Sequence, residues 1–416
     1  MCGLVGFWGA GGRDNVHSLI ERMTSRLEHR GPDDGGVWYE DGIALGHRRL
    51  SIVDLSQSGH QPMLSKDGRF VLVFNGEIYN HDDIRRQLID DGFAIEWNGH
   101  SDTETLLQAI ACWGLEKALQ SAVGMFALAL WDRQTKRLSL ARDRVGEKPL
   151  YYGWAGKVLV FGSELKALKV HPDFVATISD EALSLYLRHG YVPTPLSIWR
   201  GVFKLQPGTI LTVQDTPPSC PPSAPLAVGG RHETMSLDAY WSLKSVVEQA
   251  ARAPIRDERE VVERLEPLLE TAIKRQMVAD VPLGAFLSGG VDSSTIVALM
   301  QKLSSRPVRT FTIGFEEAGF DEAPHAKAIA KHLGTDHTEI RVNDSEARSV
   351  IAMLPELYDE PFADSSQIPT FLVSRAARAD VTVALSGDAG DELFGGYNRY
   401  IWGPAIWKIA SPIPFP

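Results

Sequence analysis

The sequence lacks the features of a membrane protein and of a disulfide-stabilised fold. It has only three cysteines among 416 residues, at positions 2, 112 and 220, and an odd number spaced so widely does not form a disulfide framework. No apolar run approaches the ~20 residues that a bilayer-spanning helix requires. The start, MCGLVGFWGAGG, has no basic leader and reaches glycines at once, so it does not predict a signal peptide. These absences predict a protein of the reducing cytoplasm with no membrane partner.

The chain also lacks an excess of positive charge. Its 42 basic and 53 acidic residues give a net charge of −11, which creates no field that would attract nucleic acid. Any phosphate must therefore be bound locally, by backbone amides or by a metal ion. The content of 44% hydrophobic and 23% charged residues is typical of a globular protein, and the length favours two domains.

The first 165 or so residues alternate short strands and helices. Apolar residues predict a strand at GLVGFW, and apolar residues between positions 16 and 27 recur at helical spacing. The run FVLVF at residues 70–74 is typical of a strand buried on both faces. Ser101 and Glu104 form a capping box, which predicts a helix start ahead of TLLQAIACW.

A proline-rich segment separates this region from the rest of the chain. Between residues 213 and 236 the sequence contains TPPSCPPSAPLAVGG, which lacks apolar periodicity and predicts a surface loop or an inserted linker. Farther along, AFLSGG, TFTIGF and VTVALSG each precede a helical pattern, which predicts a parallel, doubly wound sheet. We therefore predict domains over residues 2–200 and 259–416, joined by a linker at 201–258.

Cys2 is a candidate nucleophile because it follows only the initiator methionine. A residue this small usually allows the methionine to be removed, and the exposed α-amine would titrate near ~7.7–8.0. Such an amine could act as general base for the adjacent thiol, so one residue would supply both groups. Its position alone favours the simpler interpretation of a small residue at a frayed chain end.

Polar residues farther along change that balance. Arg49 in HRRLSIVD offers a guanidinium for an amino-acid carboxylate, and Glu77 and Asp102 offer acidic groups for its ammonium. The Asn75 side chain and the Gly76 amide could bind the oxyanion of a thioester-forming step. Simpler alternatives remain for each: a surface cation for Arg49, a helix start favoured by the dipole for Asp102, and a hairpin turn for the Asn-Gly pair.

Five motifs in order, MCGLVGFWG, HRGPDD, HRRLSIVD, FNGEIYNH and HSDTETLL, resemble the class II glutamine amidotransferase domain. The resemblance extends from residue 2 to about residue 165 and implies an N-terminal-nucleophile αββα sandwich. It implies Cys2 as the nucleophile and Asn75 with Gly76 as the oxyanion hole. It also implies that three residues bind the carboxylate or the amine of glutamine, namely Arg49, Glu77 and Asp102. We expect His29 and Arg30 to buttress this site.

The motif SGGVDSS follows an apolar strand and opens an amphipathic helix. Its glycines let the backbone approach a phosphate, and a helix start presents unpaired amides. Three hydroxyl groups are added by Ser288, Ser293 and Ser294. Because Asp292 would repel a phosphate unless a cation lay between them, the motif implies Mg²⁺. It is not a Walker loop, since GxxxxGK[ST] occurs nowhere in the chain.

A second cluster, LSGDAGDELFGGY, ends another strand. Ligands of a doubly wound sheet bind beyond the carboxyl ends of its strands, so both clusters would face one cleft. Asp292 and Asp391 could share metal ions there. The alternative, a glycine-rich turn with a helix cap at each position, is weakened because two such clusters occur.

The loop SGGVDSS resembles the pyrophosphate loop of ATP-pyrophosphatase synthetases, whose domain is adenine-nucleotide hydrolase-like. DEPFADSSQIPT at 359–370 and SGDAGDELFGGYNRY narrow the resemblance to the asparagine synthetase branch. Asp388 would support acyl-adenylate formation, at a position where many members carry glutamate, and residues 364–366 would approach the acceptor. The resemblance implies that ATP is bound by Leu287, Ser288, Gly289, Gly290, Asp292, Ser293, Ser294, Ile313, Ser386 and Gly387.

Two features depart from the family pattern. The proline-rich segment resembles an insertion, and the sequence stops at IASPIPFP where family members continue, so we expect an incomplete carboxy-terminal domain. The overall expectation is an α/β protein with an α+β amino-terminal domain. It would take glutamine, aspartate and ATP with Mg²⁺, and the family suggests a homodimer. Alternatives are another acceptor carboxylate such as a sugar uronate, or a glutaminase or glutamine-sensing protein without synthetic activity.

Overall fold

The computed structural model describes residues 1–9, 15–40, 42–315 and 321–412, so the end of the predicted terminal segment IASPIPFP lies outside the described ranges. The chain divides into two compact units. Unit 1 comprises residues 1–256 and 353–364, and unit 2 comprises residues 257–352 and 365–416. Within the described ranges, no helix combines the length and the apolar character that crossing a membrane requires.

Strands form two antiparallel sheets in unit 1. In chain order they are β1 (Gly3–Trp8), β2 (Asp34–Glu40), β3 (Ile43–Arg49), β4 (Met63–Leu64), β5 (Phe70–Ile78), β6 (Gly124–Asp132), β7 (Arg137–Arg142), β8 (Tyr151–Ala155), β9 (Val158–Gly162), β10 (Val202–Lys204), β11 (Thr209–Gln214), β12 (Arg231–His232) and β13 (Met235–Ala239). The spatial orders are β10-β8-β9-β1-β3-β2 and β12-β13-β11-β7-β6-β5-β4.

Helices cover the outer faces of the two sheets. They are α1 (Val16–Ser25), α2 (His81–Asp90), α3 (Asp102–Trp113), α4 (Leu115–Ser121), α5 (Leu165–Leu168) and α6 (Asp180–His189), whereas α7 (Leu243–Ala250) has no buried residue. Side chains from both sheets, such as Trp8 and Trp131, form the core between them. A second core lies between the first sheet and α1, α5 and α6, and a third between the second sheet and α2 to α4. Unit 1 is therefore an αββα sandwich, as the resemblance implied.

The predicted helix start at Ser101 is confirmed, but only half of the capping box forms. The Ser101 hydroxyl accepts a hydrogen bond from the Glu104 amide at 3.2 Å. The Glu104 carboxylate turns instead to the preceding loop, where it accepts from the amides of Asn98 and Gly99 at 2.8 and 3.0 Å. These bonds fix the loop that leads into α3, and so they fix its first residue, Asp102.

Residues 201–258, which the sequence predicted as a linker, contribute four strands. β10 joins the first sheet, and β11, β12 and β13 join the second. The proline-rich stretch lies between β11 and β12, and prolines cannot donate hydrogen bonds to a sheet. The short apolar runs on either side, TILTVQ and MSLDA, complete the edge of the sandwich. The predicted domain boundaries stay a prediction.

A parallel sheet lies at the centre of unit 2. Its strands β14 (Leu283–Phe286), β15 (Arg309–Phe315), β16 (Asp336–Val342) and β17 (Val383–Leu385) lie in the order β16-β15-β14-β17. The other helices of the chain are α8 (Glu258–Gln276), α9 (Val291–Leu303), α10 (Ala323–Leu333), α11 (Asp344–Ile351), α12 (Leu354–Leu357), α13 (Gln367–Ala377), α14 (Gly390–Phe394) and α15 (Asn398–Ala410). Of these, α12 belongs to unit 1.

Successive side chains of β14 point into two different cores. Ala285 packs with residues of α8, α9 and α10, whereas Phe286 packs with residues of α13. Helices therefore cover both faces of the sheet, which confirms the predicted doubly wound arrangement. The strand order reverses between β14 and β17, and ligands bind at such a switch point. The motifs SGGVDSS and SGDAGDELFGG follow these two strands.

Candidate active site

Cys2 lies at the start of β1, where the neighbouring strand β3 ends. Its thiol donates to the Leu50 carbonyl at 3.6 Å and accepts from the Leu50 amide at 3.4 Å. Burial raises the pKa of the Cys2 thiol, so the sulfur needs a base to become nucleophilic. In the structure the α-amine belongs to Met1, and burial lowers the pKa of that amine to about 5.

Arg49, the last residue of β3, is a buried cation, so the surface-cation alternative is wrong. It is only 6% exposed. Its guanidinium donates to the Ser56 carbonyl at 2.9 Å and to the Asp54 carbonyl. Gly59 makes room for it, because a Cβ atom there would overlap the guanidinium. The charge is thus held at the edge of the pocket described below.

Asn75 and Gly76 lie inside β5, opposite Ala127 and Phe126 of β6, so the hairpin-turn alternative is wrong. A Cβ on Gly76 would collide with β6, lying 2.6 Å from the Phe126 Cβ. Asn75 is fully buried, yet no group of the described residues hydrogen-bonds to either polar atom of its side chain. A buried amide without a partner costs about 1–3 kcal/mol, which a ligand that accepts its hydrogen bond would offset.

Two carboxylates lie near the sulfur. Asp102, the first residue of α3, accepts from the amides of Ile78 and Thr103, both at 2.8 Å. The second bond supports the helix-start interpretation, and the residue also lines the pocket. Burial raises the pKa of Asp102, and burial together with the Asp102 charge raises the pKa of Glu77 to about 7. Two acids in one pocket disfavour each other's ionisation, so the site favours a bound cation such as an ammonium group.

The structure brings all six predicted residues of this half into one pocket. Cys2, Arg49, Asn75, Gly76, Glu77 and Asp102 line it together with Met1, Leu50, Ile52, Val53, Gln61, Phe74, Thr103, Met125 and Lys148. The pocket thus combines a thiol, a guanidinium, an unpartnered amide and two acids. Their individual roles stay predictions.

Three supporting residues were missed from the sequence. Lys148 lines the pocket, and its ammonium donates to the Met1 sulfur at 3.3 Å. Burial lowers the pKa of Lys148, and the negative charges of nearby acids partly offset this by raising it. His47 donates to the Phe74 carbonyl at 2.9 Å, and the Gln61 side-chain oxygen Oε1 accepts from the Phe74 amide at 2.6 Å. These bonds hold the strand next to Asn75. No pattern in the surrounding sequence GEKPLYY indicates that Lys148 enters the pocket.

A second cleft lies in unit 2, beyond the carboxyl ends of β14 and β17. The predicted residues that line it are Leu287, Ser288, Gly290, Asp292, Ser293, Ile313, Ser386, Gly387, Asp388 and Asp391. Gly289 and Ser294 are not in the lining. Gly289 has a φ of +86°, as the turn requires, and the Ser294 hydroxyl donates to the Gly290 carbonyl at 2.6 Å. The predicted acceptor residues 364–366 do not line this cleft either, whereas Pro369 and Thr370 do.

The two turns of this cleft pack closely against each other. A Cβ on Gly387 would lie 2.6 Å from the Ser293 amide nitrogen, and a Cβ on Gly390 would collide with the Asp292 carboxylate. The hydroxyls of Ser288 and Ser293 lie 2.9 Å apart, and within the described structure no side chain caps α9. Hydroxyl groups beside uncapped helix amides are suited to a phosphate.

The residues fit a metal ion that enters with a nucleotide. Asp292 and Asp391 line the cleft, but the described part of the chain contains no cluster of three or more His, Cys, Asp or Glu residues that could hold a metal. Mg²⁺ is commonly bound through one or two carboxylates and substrate phosphates. Asp292 and Asp391 are therefore the residues that would hold such an ion together with the phosphates.

Unit 1 is an αββα sandwich with a pocket around an amino-terminal cysteine, and unit 2 is a parallel-sheet unit with a cleft suited to phosphate. Together they define a glutamine amidotransferase domain linked to a nucleotide-binding domain. A family model described as a glutamine amidotransferase domain matches residues 1–220, and one described as asparagine synthase matches residues 264–414. The chain belongs to the asparagine synthetase (glutamine-hydrolysing) family.

Similar curated proteins come from archaea and bacteria. The chain is 35% identical to a putative asparagine synthetase (glutamine-hydrolysing) of Methanocaldococcus jannaschii, over 97% of this chain and 77% of that protein. It is 34% identical to an asparagine synthetase (glutamine-hydrolysing) of Bacillus subtilis, over 96% of this chain. A putative asparagine synthetase of Mycobacterium tuberculosis is 37% identical over 96% of this chain. The chain spans 59% and 61% of the lengths of the last two proteins.

Proposed function

We propose that this chain is a glutamine-dependent asparagine synthetase. It would release ammonia from glutamine at Cys2 and join that ammonia to an ATP-activated carboxylate of aspartate. The observation that supports the first half most strongly is the buried, unpartnered Asn75 amide in the pocket of Cys2. An amide held in this way is ready to donate to an oxyanion before the charge develops.

The proposed glutaminase step begins after Met1 is removed. The α-amine of Cys2 takes the thiol proton, and the sulfur attacks the side-chain amide carbon of glutamine. The Asn75 side chain, with the Gly76 amide as second donor, would bind the oxyanion. The other groups of the pocket hold the substrate, with the guanidinium of Arg49 on its carboxylate and the acids on its ammonium. Collapse of the tetrahedral adduct releases ammonia, and water then hydrolyses the thioester to glutamate.

Both groups are uncharged at neutral pH before the proton transfer. Burial raises the pKa of the Cys2 thiol, and burial lowers the pKa of the Met1 amine to about 5. The lone pair of an uncharged amine can accept the thiol proton, but this order of pKa values opposes the transfer, so the transfer is coupled to the attack of the sulfur on the amide carbon. Because the α-amine and the thiol of Cys2 belong to one residue, their proximity favours this coupled step.

The proposed second step takes place in the cleft of unit 2. The aspartate carboxylate attacks the α-phosphorus of ATP, pyrophosphate leaves, and ammonia then displaces AMP from the acyl-adenylate. The hydroxyls of Ser288 and Ser293 and the amides at the start of α9 would hold the phosphates. Asp388 would support formation of the acyl-adenylate. Asp292 and Asp391 would hold Mg²⁺, which would supply positive charge for the leaving pyrophosphate.

A comparison of the purified chain with its Cys2→Ala variant tests the proposal. With glutamine, aspartate, ATP and Mg²⁺, the original chain should form glutamate, asparagine, AMP and pyrophosphate. The variant should lose glutamate release and glutamine-dependent asparagine formation, while ammonium chloride should still support synthesis. Glutamate release that persists unchanged in Cys2→Ala would refute the amidotransferase assignment.

Another small carboxylate, such as a sugar uronate, is a second candidate acceptor. The reason is that the cleft lining contains the predicted nucleotide residues but not the predicted acceptor residues 364–366. Formation of AMP with aspartate, and not with uronates, would support the asparagine assignment. AMP release that does not depend on aspartate would refute it.

A further inference from the structure

Residues 353–364 belong to unit 1, although the chain before and after them belongs to unit 2. The segment contains α12 and the first residues of the motif DEPFADSSQIPT. The same motif continues to Pro369 and Thr370, which line the cleft of unit 2. This short segment therefore packs with unit 1, and the residues that follow it in the sequence belong to unit 2.

Asp359 of this segment caps a helix of the sandwich. Its carboxylate accepts from the amides of Leu165 at 2.6 Å and of Lys166 at 3.3 Å, which open α5. Glu164, the residue in the N-cap position, makes no side-chain capping bond. Burial, and then the Glu164 charge, raise the pKa of Asp359 to about 6, so at neutral pH the carboxylate can accept both bonds. A distant acid thus satisfies a helix start that the local residue leaves open.

Asp359 accepts the capping bonds of α5, whereas the Glu164 carboxylate pairs with three cations. The Glu164 carboxylate binds Arg30 Nη1 at 2.8 Å, and it pairs with His29 at 3.0 Å and with Lys166 at 3.1 Å. Burial opposes ionisation, but the hydrogen bond from His29 and the charge of Arg30 lower the pKa of Glu164 to about 2. The pair with Arg30 therefore exists in its charged form at neutral pH.

Arg30 completes a continuous route to Cys2. Its Nε donates to the Cys2 carbonyl at 2.8 Å, and its side chain is only 9% exposed. The sheet brings these residues together, because β9 pairs with β1 and Ser163 exchanges hydrogen bonds with Leu4. Arg30 does not line the pocket, so its contact is with the nucleophilic residue and not with the predicted substrate-binding groups.

Further polar bonds hold the segment in place. Lys166 Nζ donates to the Glu356 carbonyl at 2.6 Å. Glu360 accepts from the Ile198 amide at 2.7 Å and pairs with Lys204 at 2.6 Å. The Glu360 side chain is 11% exposed. Breaking a buried ion pair leaves one charge without a partner, which is costly. The segment is therefore held in a defined position.

We propose that Asp359 is a positioning residue through which the segment 353–364 of unit 1 sets the geometry of the glutaminase nucleophile. Asp359 fixes the backbone at 164–166, this orients Glu164, and Glu164 holds Arg30 on the Cys2 carbonyl. The inference rests on the proposed glutaminase function. It predicts an effect on turnover and not on glutamine binding, because the groups that would bind glutamine lie outside the route.

Asp359→Asn in the full chain tests this route. The amide group of asparagine can accept at one atom only, so one of the two bonds to α5 is lost. We expect the glutaminase kcat to fall at least about tenfold, since small displacements of a reacting group have effects of this size. The KM for glutamine should stay within about twofold. The matched control is Glu356→Gln, which removes a carboxylate from the same segment but keeps the backbone carbonyl that Lys166 uses.

Glu164→Gln breaks the same route one step nearer the nucleophile and should show the same loss of kcat. It tests the route independently if a thermal melt shows that Asp359→Asn is unfolded. Each possible result has a distinct meaning. Absence of glutaminase activity in the unaltered chain would refute the proposed function itself. An active unaltered chain, together with Asp359→Asn or Glu164→Gln variants that fold and match Glu356→Gln in kcat, would overturn the positioning role. A raised KM with unchanged kcat would overturn it as well.

Discussion

The Asn75 side chain offers a test in which activity should be lost while stability is kept. Asn75→Ala removes an amide that is buried in β5 and has no hydrogen-bond partner among the described protein groups. An asparagine that only stabilised the fold would be bonded to protein groups. One that serves an oxyanion would be left unpaired until substrate arrives.

The two expected magnitudes follow from this arrangement. Loss of one oxyanion donor lowers kcat by about 10²–10³-fold, or about 2.7–4 kcal/mol of transition-state stabilisation. The free energy of unfolding should stay the same or rise by up to about 1–3 kcal/mol, because no protein hydrogen bond is broken and a buried amide without a partner is removed. The side chain lines an existing pocket, so its removal creates little new cavity.

Glutamate release and urea unfolding measure these two quantities on the same preparations. Asn80→Ala is the matched control, since Asn80 donates to the Ser121 carbonyl at 3.0 Å and accepts from the Val123 amide at 2.7 Å. Asn80→Ala should lose about 1–3 kcal/mol of stability and keep its activity. An Asn75→Ala variant with full activity, or with lost activity only because it is unfolded, would refute the oxyanion assignment.

Three further variants test other parts of the two sites. Burial raises the pKa of Glu77 to about 7, so its carboxylate gains a proton as the pH falls through that value. The KM for glutamine should therefore rise from pH 8 to pH 6. This pH dependence should be absent in Glu77→Gln. Gly76→Ala should reduce the free energy of unfolding by about 1–3 kcal/mol in urea, since the added Cβ would overlap β6. Asp292→Asn should abolish pyrophosphate release while glutamate release continues, because Asp292 lines the cleft of unit 2 and does not line the pocket of Cys2. Equal loss of both activities would contradict separate sites.

Patterned features of this chain could be predicted from the sequence, whereas single contacts between distant residues could not. The strand at residues 70–74 is a continuous apolar run, and the two glycine-rich motifs each follow an apolar strand. Each of these features is therefore visible in the local sequence. The pocket around Cys2 was predicted because its residues occur in recognisable motifs. The parallel sheet of unit 2 was predicted from the alternation of strands and helices.

What the sequence did not reveal depends on tertiary packing. Lys148 is a single lysine after a strand, and nothing in its neighbours indicates that it enters the pocket. The bond between Asp359 and the Leu165 amide joins residues 194 positions apart, and no periodicity predicts such a contact. The strands β11 and β13 were hidden because a proline-rich stretch dominates the composition between them.

Transfer of labelled nitrogen is the most direct test of glutamine-dependent asparagine synthesis. Glutamine labelled with ¹⁵N in its side-chain amide would be supplied with aspartate, ATP and Mg²⁺, and the products followed by mass spectrometry. The proposed function predicts labelled asparagine in equal amount to AMP, and none from Cys2→Ala. Labelled ammonia in solution without labelled asparagine or AMP would contradict it.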